Sequence, residues 1–306
     1  MQDMTTDICT NTEVIGEGSQ TQLIDIRDDK VYWATKLADG HCWMTQNLDL
    51  AIGNTNTPLT SDNTDINVST SGSGIYSNGY TQNNGVWTWI PASTALTSGK
   101  NVDYDNKTIS NWNHSNTTPS SAEGGNTYIY TSGDDNPDTR YDSLSACATA
   151  NHTESECKHY HAGNYYNWTA AVASNDTTNV STNRVSNSIC PKGWRLPNNS
   201  TTDNIYNEFG RLFYNAYNIT SSLSNGAGNV GYKTGGFIAI RTFPLYFVRS
   251  GRIDNSTLVT PNGGNYWSNT AYNKLYAFNL SFDRSGIWIA SNLGQNLGMS
   301  VRCLTR

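Results

Sequence analysis

Charge is scarce in this chain of 306 residues: Asp, Glu, Lys and Arg make up 14%, against about 25% in an average soluble domain. Aliphatic bulk is scarce as well. Leu, Ile, Val and Phe number about 54, less than the roughly 20% of a chain under which disorder becomes the expectation. Disorder of that kind also needs high net charge. Here the net charge is −6, and 9 Trp and 18 Tyr supply large apolar surfaces, so the composition reads as folded. No apolar run approaches the ~18 residues of a membrane-spanning helix. A pI near 5.3 without a basic stripe excludes a nucleic-acid footprint. C-x-x-C pairs are missing, which removes zinc ribbons and thioredoxin-type redox motifs. The start, Met1-Gln-Asp-Met-Thr5, has neither the basic end nor the apolar stretch of a secretion signal, which leaves a cytoplasmic protein or the mature part of an exported one. The six cysteines (Cys9, Cys42, Cys147, Cys157, Cys190, Cys303) favour the second: an even set predicts three disulfides in an oxidising compartment, with 15 connectivities open.

What is abundant is Asn, about 39 copies, together with Ser and Thr. Amides and hydroxyls favour turns and caps over helix interiors, so strand and loop should dominate with few helices. Leu23–Ile26, Val31–Leu37 and Cys42–Leu48 read as strands, the last two joined by a hairpin at Asp39-Gly40. Residues 51–125 are Asn-, Ser-, Thr- and Gly-rich, with apolar islands at Val86–Ile90 and, just beyond, Tyr128–Tyr130. They predict a polar insertion, reaching to about residue 160, packed on one domain that spans 1–306. Tyr165, Trp168 and Val172 fall at helical spacing. A second helix follows Pro197, with Ile205, Phe209, Leu212, Phe213 and Ala216 on one face and Asp203 or Asn204 as its cap. Strands are expected again at Phe237–Ile240, Leu245–Val248, Tyr276–Phe282, Gly286–Ile289 and Met299–Leu304.

Several phrases are distinctive: Lys36-Leu-Ala-Asp-Gly-His-Cys-Trp-Met-Thr-Gln-Asn-Leu48, Asn164-Tyr-Tyr-Asn-Trp168, Cys190-Pro-Lys-Gly-Trp-Arg-Leu-Pro197, Tyr266-Trp-Ser-Asn-Thr270 and Gly298-Met-Ser-Val-Arg-Cys303. Together they resemble the Fibrobacter succinogenes major paralogous domain, from about residue 20 to the C-terminus. That domain is similar to C-type-lectin-like folds of the formylglycine-generating-enzyme type, an α+β class that is β- and loop-rich with about two short helices. The corresponding segments here are Trp168, Gly193–Pro197 and Gly298–Arg302, and Asn198 stands where a Thr is common. The resemblance implies a secreted, surface-attached bacterial protein, and it implies a Cys190–Cys303 bridge. Cys9 with Cys42 and Cys147 with Cys157 complete the expected set.

Catalysis is not expected. The formylglycine-generating enzyme works with reactive cysteines and copper, and its cysteine motif is missing from this chain. No Ser-His-Asp set can be assembled, and Gly16-Glu-Gly18 and Gly72-Ser-Gly74 lack the strand-to-helix setting of a phosphate loop. His159 and His161, two apart, would face one side of a strand and could bind a transition metal with His152, Glu154 or Glu156; a solvated loop beside a disulfide is the plainer expectation. Asp134, Asp135 and Asp138 form an oxygen cluster that suits calcium, the one cofactor considered, or an ordinary turn.

The segment 265–300 carries the functional expectation. Among framework-like residues it holds Asn265, Tyr272, Asn273, Tyr276, Phe278, Asn279, Ser281, Trp288, Ile289, Ser291, Asn292, Leu293, Gln295, Asn296, Leu297 and Met299. Large aromatics mixed with small polar residues are the composition of a paratope: rigid contact area plus adaptable hydrogen bonding. Phe278, Leu280 and Phe282 could equally point into a β core, whereas Ile287–Leu297 read as loops. The place and the Asn content also resemble the variable segment of proteins diversified by retroelements through adenine-directed mutagenesis. The expectation is a ligand-binding surface protein, with Tyr272, Tyr276, Phe278 and Trp288 as anchors and Asn273, Asn279, Asn292 and Asn296 as polar contacts. Its partner would be a protein or glycan on another cell or a phage. The rival readings are a calcium-dependent carbohydrate-binding adhesin and an oxidase.

Overall fold

The computed structural model describes residues 1–4, 8–9, 20–50, 62–65, 80–83, 86–89, 111–112, 128–130, 139–141, 143–150, 152–173, 184–199, 207–216, 229–230, 239–254, 257–260, 262–273, 275–284, 286–295 and 297–306. Strands β1 (Thr21–Asp25) and β2 (Lys30–Lys36) pair antiparallel. Gly40, at φ +88°, reverses the chain into β3 (Cys42–Met44), and the Asp39 carboxylate holds the turn by accepting from His41 N and Trp43 Nε1. In the polar stretch, β4 (Tyr80–Asn83) pairs with β5 (Val86–Trp89); β6 (Asn111–Trp112) follows, and β7 (Tyr128–Tyr130) pairs with β8 (Thr139–Tyr141).

Helices α1 (Leu144–Thr149) and α2 (Glu154–His159) come next, and β9 (Tyr165–Tyr166) returns to β6. Glu154–His159 is thus a helix, because Thr153 and Glu156 exchange the hydrogen bonds of a capping box, and only His161 is extended, in a bridge to Tyr128. Tyr165 lies on a strand, not on the expected helix. Helix α3 (Trp168–Ala171) starts only after Asn167, whose side chain accepts from Ala170 N.

After β10 (Trp194–Arg195), Asn207 caps α4 (Glu208–Gly210), which runs on as a π-helix over Arg211–Ala216. Asp203, Asn204 and Ile205 lie outside the described residues. The chain continues through β11 (Asn229–Val230), β12 (Arg252–Asp254), β13 (Thr257–Val259), β14 (Gly264–Ala271), β15 (Tyr276–Asp283), β16 (Gly286–Gly294) and β17 (Leu304–Thr305). The expected Met299–Leu304 strand is isolated bridges at first and strand only from Leu304, and the described residues of two other expected strands are not strand. Residues 239–241 are helical, and 245–248 are irregular. In the latter, side chains take the place of a ladder: Arg302 donates to the carbonyls of Leu245 and Tyr246, and the Tyr266 hydroxyl bonds both N and O of Val248.

The protein is α+β, with mostly antiparallel sheets and a few short helices. One sheet has the order β1-β2-β3-β17-β10 and another β11-β16-β15-β14. Two core clusters flank the second sheet: Trp168, Trp194 and Trp267 in one, Trp43, Phe209, Phe247 and Tyr266 in the other. Residues 298–300 bridge to Ile253, Tyr166 and Tyr266. The disulfides are Cys9–Cys42, Cys147–Cys157 and Cys190–Cys303, as expected. Among the described residues no helix is long and apolar enough to cross a membrane.

Candidate functional site

Register decides what β14, β15 and β16 present. Along β15, Tyr276, Phe278, Leu280 and Phe282 point one way and Ala277, Asn279, Ser281 and Asp283 the other. Leu280 and Phe282 join Tyr266, Ile287 and Ile289 in one core cluster, and Ala277 joins Trp267 in the other, with Leu293 packed against it. The expected Gly286–Ile289 strand forms and, where loop was also expected, continues as far as Gly294; its two Ile side chains fill that core.

The sheet opens to solvent at the turn between β14 and β15. Tyr272 is 47% exposed and Tyr276 38%. The Tyr272 ring stands edge-on to Phe278, 5.3 Å between centroids and 79° between planes, which leaves Phe278 only 6% exposed beneath it. The turn that carries the two tyrosines is held three times over. Tyr272 N and Asn273 N both donate to Tyr276 O, at 2.9 and 3.1 Å. Asn273 Oδ1 accepts from Leu275 N and Tyr276 N, at 2.8 and 2.9 Å. Gln295, buried behind the turn, donates from Nε2 to the carbonyls of Asn273 and Tyr276. Gln295 O in turn accepts from Trp168 N, which ties the turn to helix α3. Asn273 and Gln295, expected to contact ligand, thus spend their side-chain amides on the turn.

The sixteen residues singled out in the sequence do not form one surface. Tyr272, Tyr276 and Phe278 come together with Asn292, which is exposed and pairs with Phe278 across the strands. Trp288 pairs with Ser281, and Ser281 Oγ donates to Asn265 Oδ1; this row lies on the opposite face, with Ser281 and Trp288 half-buried and Asn265 buried. Ser291 pairs with Asn279 on that face as well; Asn279 is fully buried and donates to Leu280 O. Ile289, Leu297 and Met299 are core, and Leu293 is half-buried beside it. Asn296 lies outside the described residues.

The histidines do not converge. His152 stacks on Tyr130 at 3.5 Å, His159 on Tyr246 at 4.2 Å, and His161 packs on Tyr128 at 4.9 Å. Burial, with the Arg302 charge adding, lowers the His159 pKa to about 4, so it is neutral at pH 7. Among the described residues no three His, Cys, Asp or Glu group as a metal site would need. Asp134, Asp135 and Asp138 lie outside the described residues. All six cysteines are in bridges, so no thiol is free for cysteine-based oxidation. Compared with protein-family models, with curated proteins and with solved structures, the chain finds no match.

Proposed function

We propose that the protein is a bacterial cell-surface binding protein of the C-type-lectin-like, formylglycine-generating-enzyme type. Its β14–β15 turn engages a protein or glycan on another cell or a phage, and its C-terminal segment is diversified by a retroelement. One observation carries this reading: two exposed tyrosines, underpinned by Phe278, sit on a turn locked from behind by the buried Gln295. Tyrosine on a preorganised turn gives contact area at little entropic cost. Three disulfides fit an oxidising exterior, and the pairing of every cysteine supports binding over oxidation.

The test is a labelled full chain titrated against a panel of bacterial cells and phage. Replacing both Tyr272 and Tyr276 by Ala is expected to weaken binding at least tenfold with an unchanged Tm. Equal binding by the double variant would contradict the reading.

A further inference from the structure

Two clefts that share Trp33, together a groove, contain no residue of the tyrosine turn. One, of about 470 Å³, lies between Trp33 on β2, the first turn of α2 and the 243–246 segment; the other, of about 290 Å³, lies between β2, Tyr128 and His161. Trp33 lines both. Each half is in or near the range of small-ligand clefts, roughly 300–1,000 Å³.

Rings and polar side chains line both sides of Trp33. In the larger half, the buried His159 lies between Trp33, at 5.3 Å, and Tyr246, at 4.2 Å with the planes 6° apart, so it braces the two rings that line the cleft on either side of it. Phe243 meets Tyr246 edge-on at 5.9 Å. Tyr246 has φ +48°, a conformation that a bulky side chain rarely adopts. It is held there because Tyr246 N donates to Thr242 O and Arg302 donates to Tyr246 O. Strain of this kind, maintained by its surroundings, gathers where a structure positions a group for a ligand. Around these rings stand Gln20, Thr153, Ser155 and Glu156. In the smaller half Tyr128 packs on His161, with Gln22, Lys30 and Asp49 beside them.

Charge narrows the ligand. Glu156 and Asp49 are balanced by Lys30 and Lys158, and both His159 and the amides are neutral at pH 7. A net-neutral groove gives no advantage to nucleic acid or to a strongly charged peptide. Flat rings, with amides, hydroxyls and a carboxylate at their edges, match a pyranose, which offers an apolar C–H face and a rim of hydroxyls. Repetition of that arrangement on either side of a shared Trp matches a chain of such units. The geometry points to a binding site for a neutral oligosaccharide along the Trp33 groove, independent of calcium.

The intact protein in EDTA, applied to an array of neutral gluco-, manno-, galacto- and N-acetylglucosamine oligosaccharides and followed by calorimetry, tests this. At least one series should bind, more tightly as it lengthens enough to cross Trp33. Trp33→Ala should weaken it at least tenfold. Ser155→Trp, which fills the groove from an exposed rim position and spares the core, should do the same at unchanged Tm. Replacing Tyr272 and Tyr276 should leave it unaffected, so the two sites can fail separately. No bound oligosaccharide, binding that survives Ser155→Trp, or binding that requires calcium overturns the proposal, as does capture of a peptide library by the groove in place of the array.

Discussion

Gln295 Nε2 donates to Tyr276 O at 3.2 Å across 19 residues of chain, so a buried amide from the end of β16 sets the position of an exposed tyrosine at the start of β15. Tyr276 is therefore presented by the core.

Replacing Gln295 by Ala removes both donations to the turn. The cost should be about 1 kcal/mol, because Tyr276 O keeps its bonds from Tyr272 N and Asn273 N. Hydrogen exchange at Leu275 and Tyr276 should quicken while that of β14 and β15 stays slow. Unaltered exchange at the turn would show that Gln295 does not hold it.

The tyrosines themselves should be dispensable for folding. Tyr272→Ala and Tyr276→Ala alter exposed positions, for which changes within about 0.5 kcal/mol are usual. Phe278→Ala should cost more, about 3 kcal/mol, since its ring is covered. Urea unfolding of the three variants checks the order; a larger loss from either tyrosine than from Phe278 would make the tyrosines core.

The disulfides should differ in worth. Cys190–Cys303 spans 113 residues and Cys147–Cys157 spans 10. In the chain-entropy picture their removal costs about 5 and about 3 kcal/mol. Paired Cys→Ala variants compared by urea unfolding give the order, and equal losses would contradict it.

Two groups, the half-buried Asp28 and the buried His159, should oppose one another with pH. Burial, and the neighbouring Asp25 charge, raise Asp28 to about 6, above the 3.8 of an unfolded chain. Between these values the folded state holds more protons, so this contribution to stability falls as pH rises. His159, lowered from 6.5 to about 4, does the reverse: the unfolded state takes the proton first, and stability rises with pH over that window. The wild-type urea midpoint should change little from pH 4.5 to 6. Asp28→Asn should make the unfolding free energy rise with pH and His159→Gln should make it fall, by about 1–3 kcal/mol each. Parallel profiles for the two variants would refute the assignment.

Local chemistry was legible in the sequence. Asp39-Gly40 marks its hairpin because turn residues act on their own neighbours, and Tyr276–Phe282 reads as a strand by alternation. Thr153 and Glu156 were an equally local signal for α2, obscured by the two histidines that follow. Features set at a distance were not legible. Leu245–Val248 looks like a strand, yet its carbonyls at Leu245, Tyr246 and Val248 are paired by the Arg302 and Tyr266 side chains from elsewhere in the chain. The division of the candidate site depends on register and on the irregularity between Asn279 and Ser281. No composition reveals that Trp288 and Tyr276 lie on opposite faces.

Sequencing the DNA around the gene tests the variable hairpin most directly. A retroelement-diversified surface predicts a near-copy of the DNA for residues 265–300 beside a reverse-transcriptase gene. The copy should differ only at adenines, and the changes should fall in codons for exposed positions such as Tyr272, Tyr276 and Asn292, sparing Leu280 and Phe282. The absence of such a copy, or changes concentrated in the core codons, would contradict it.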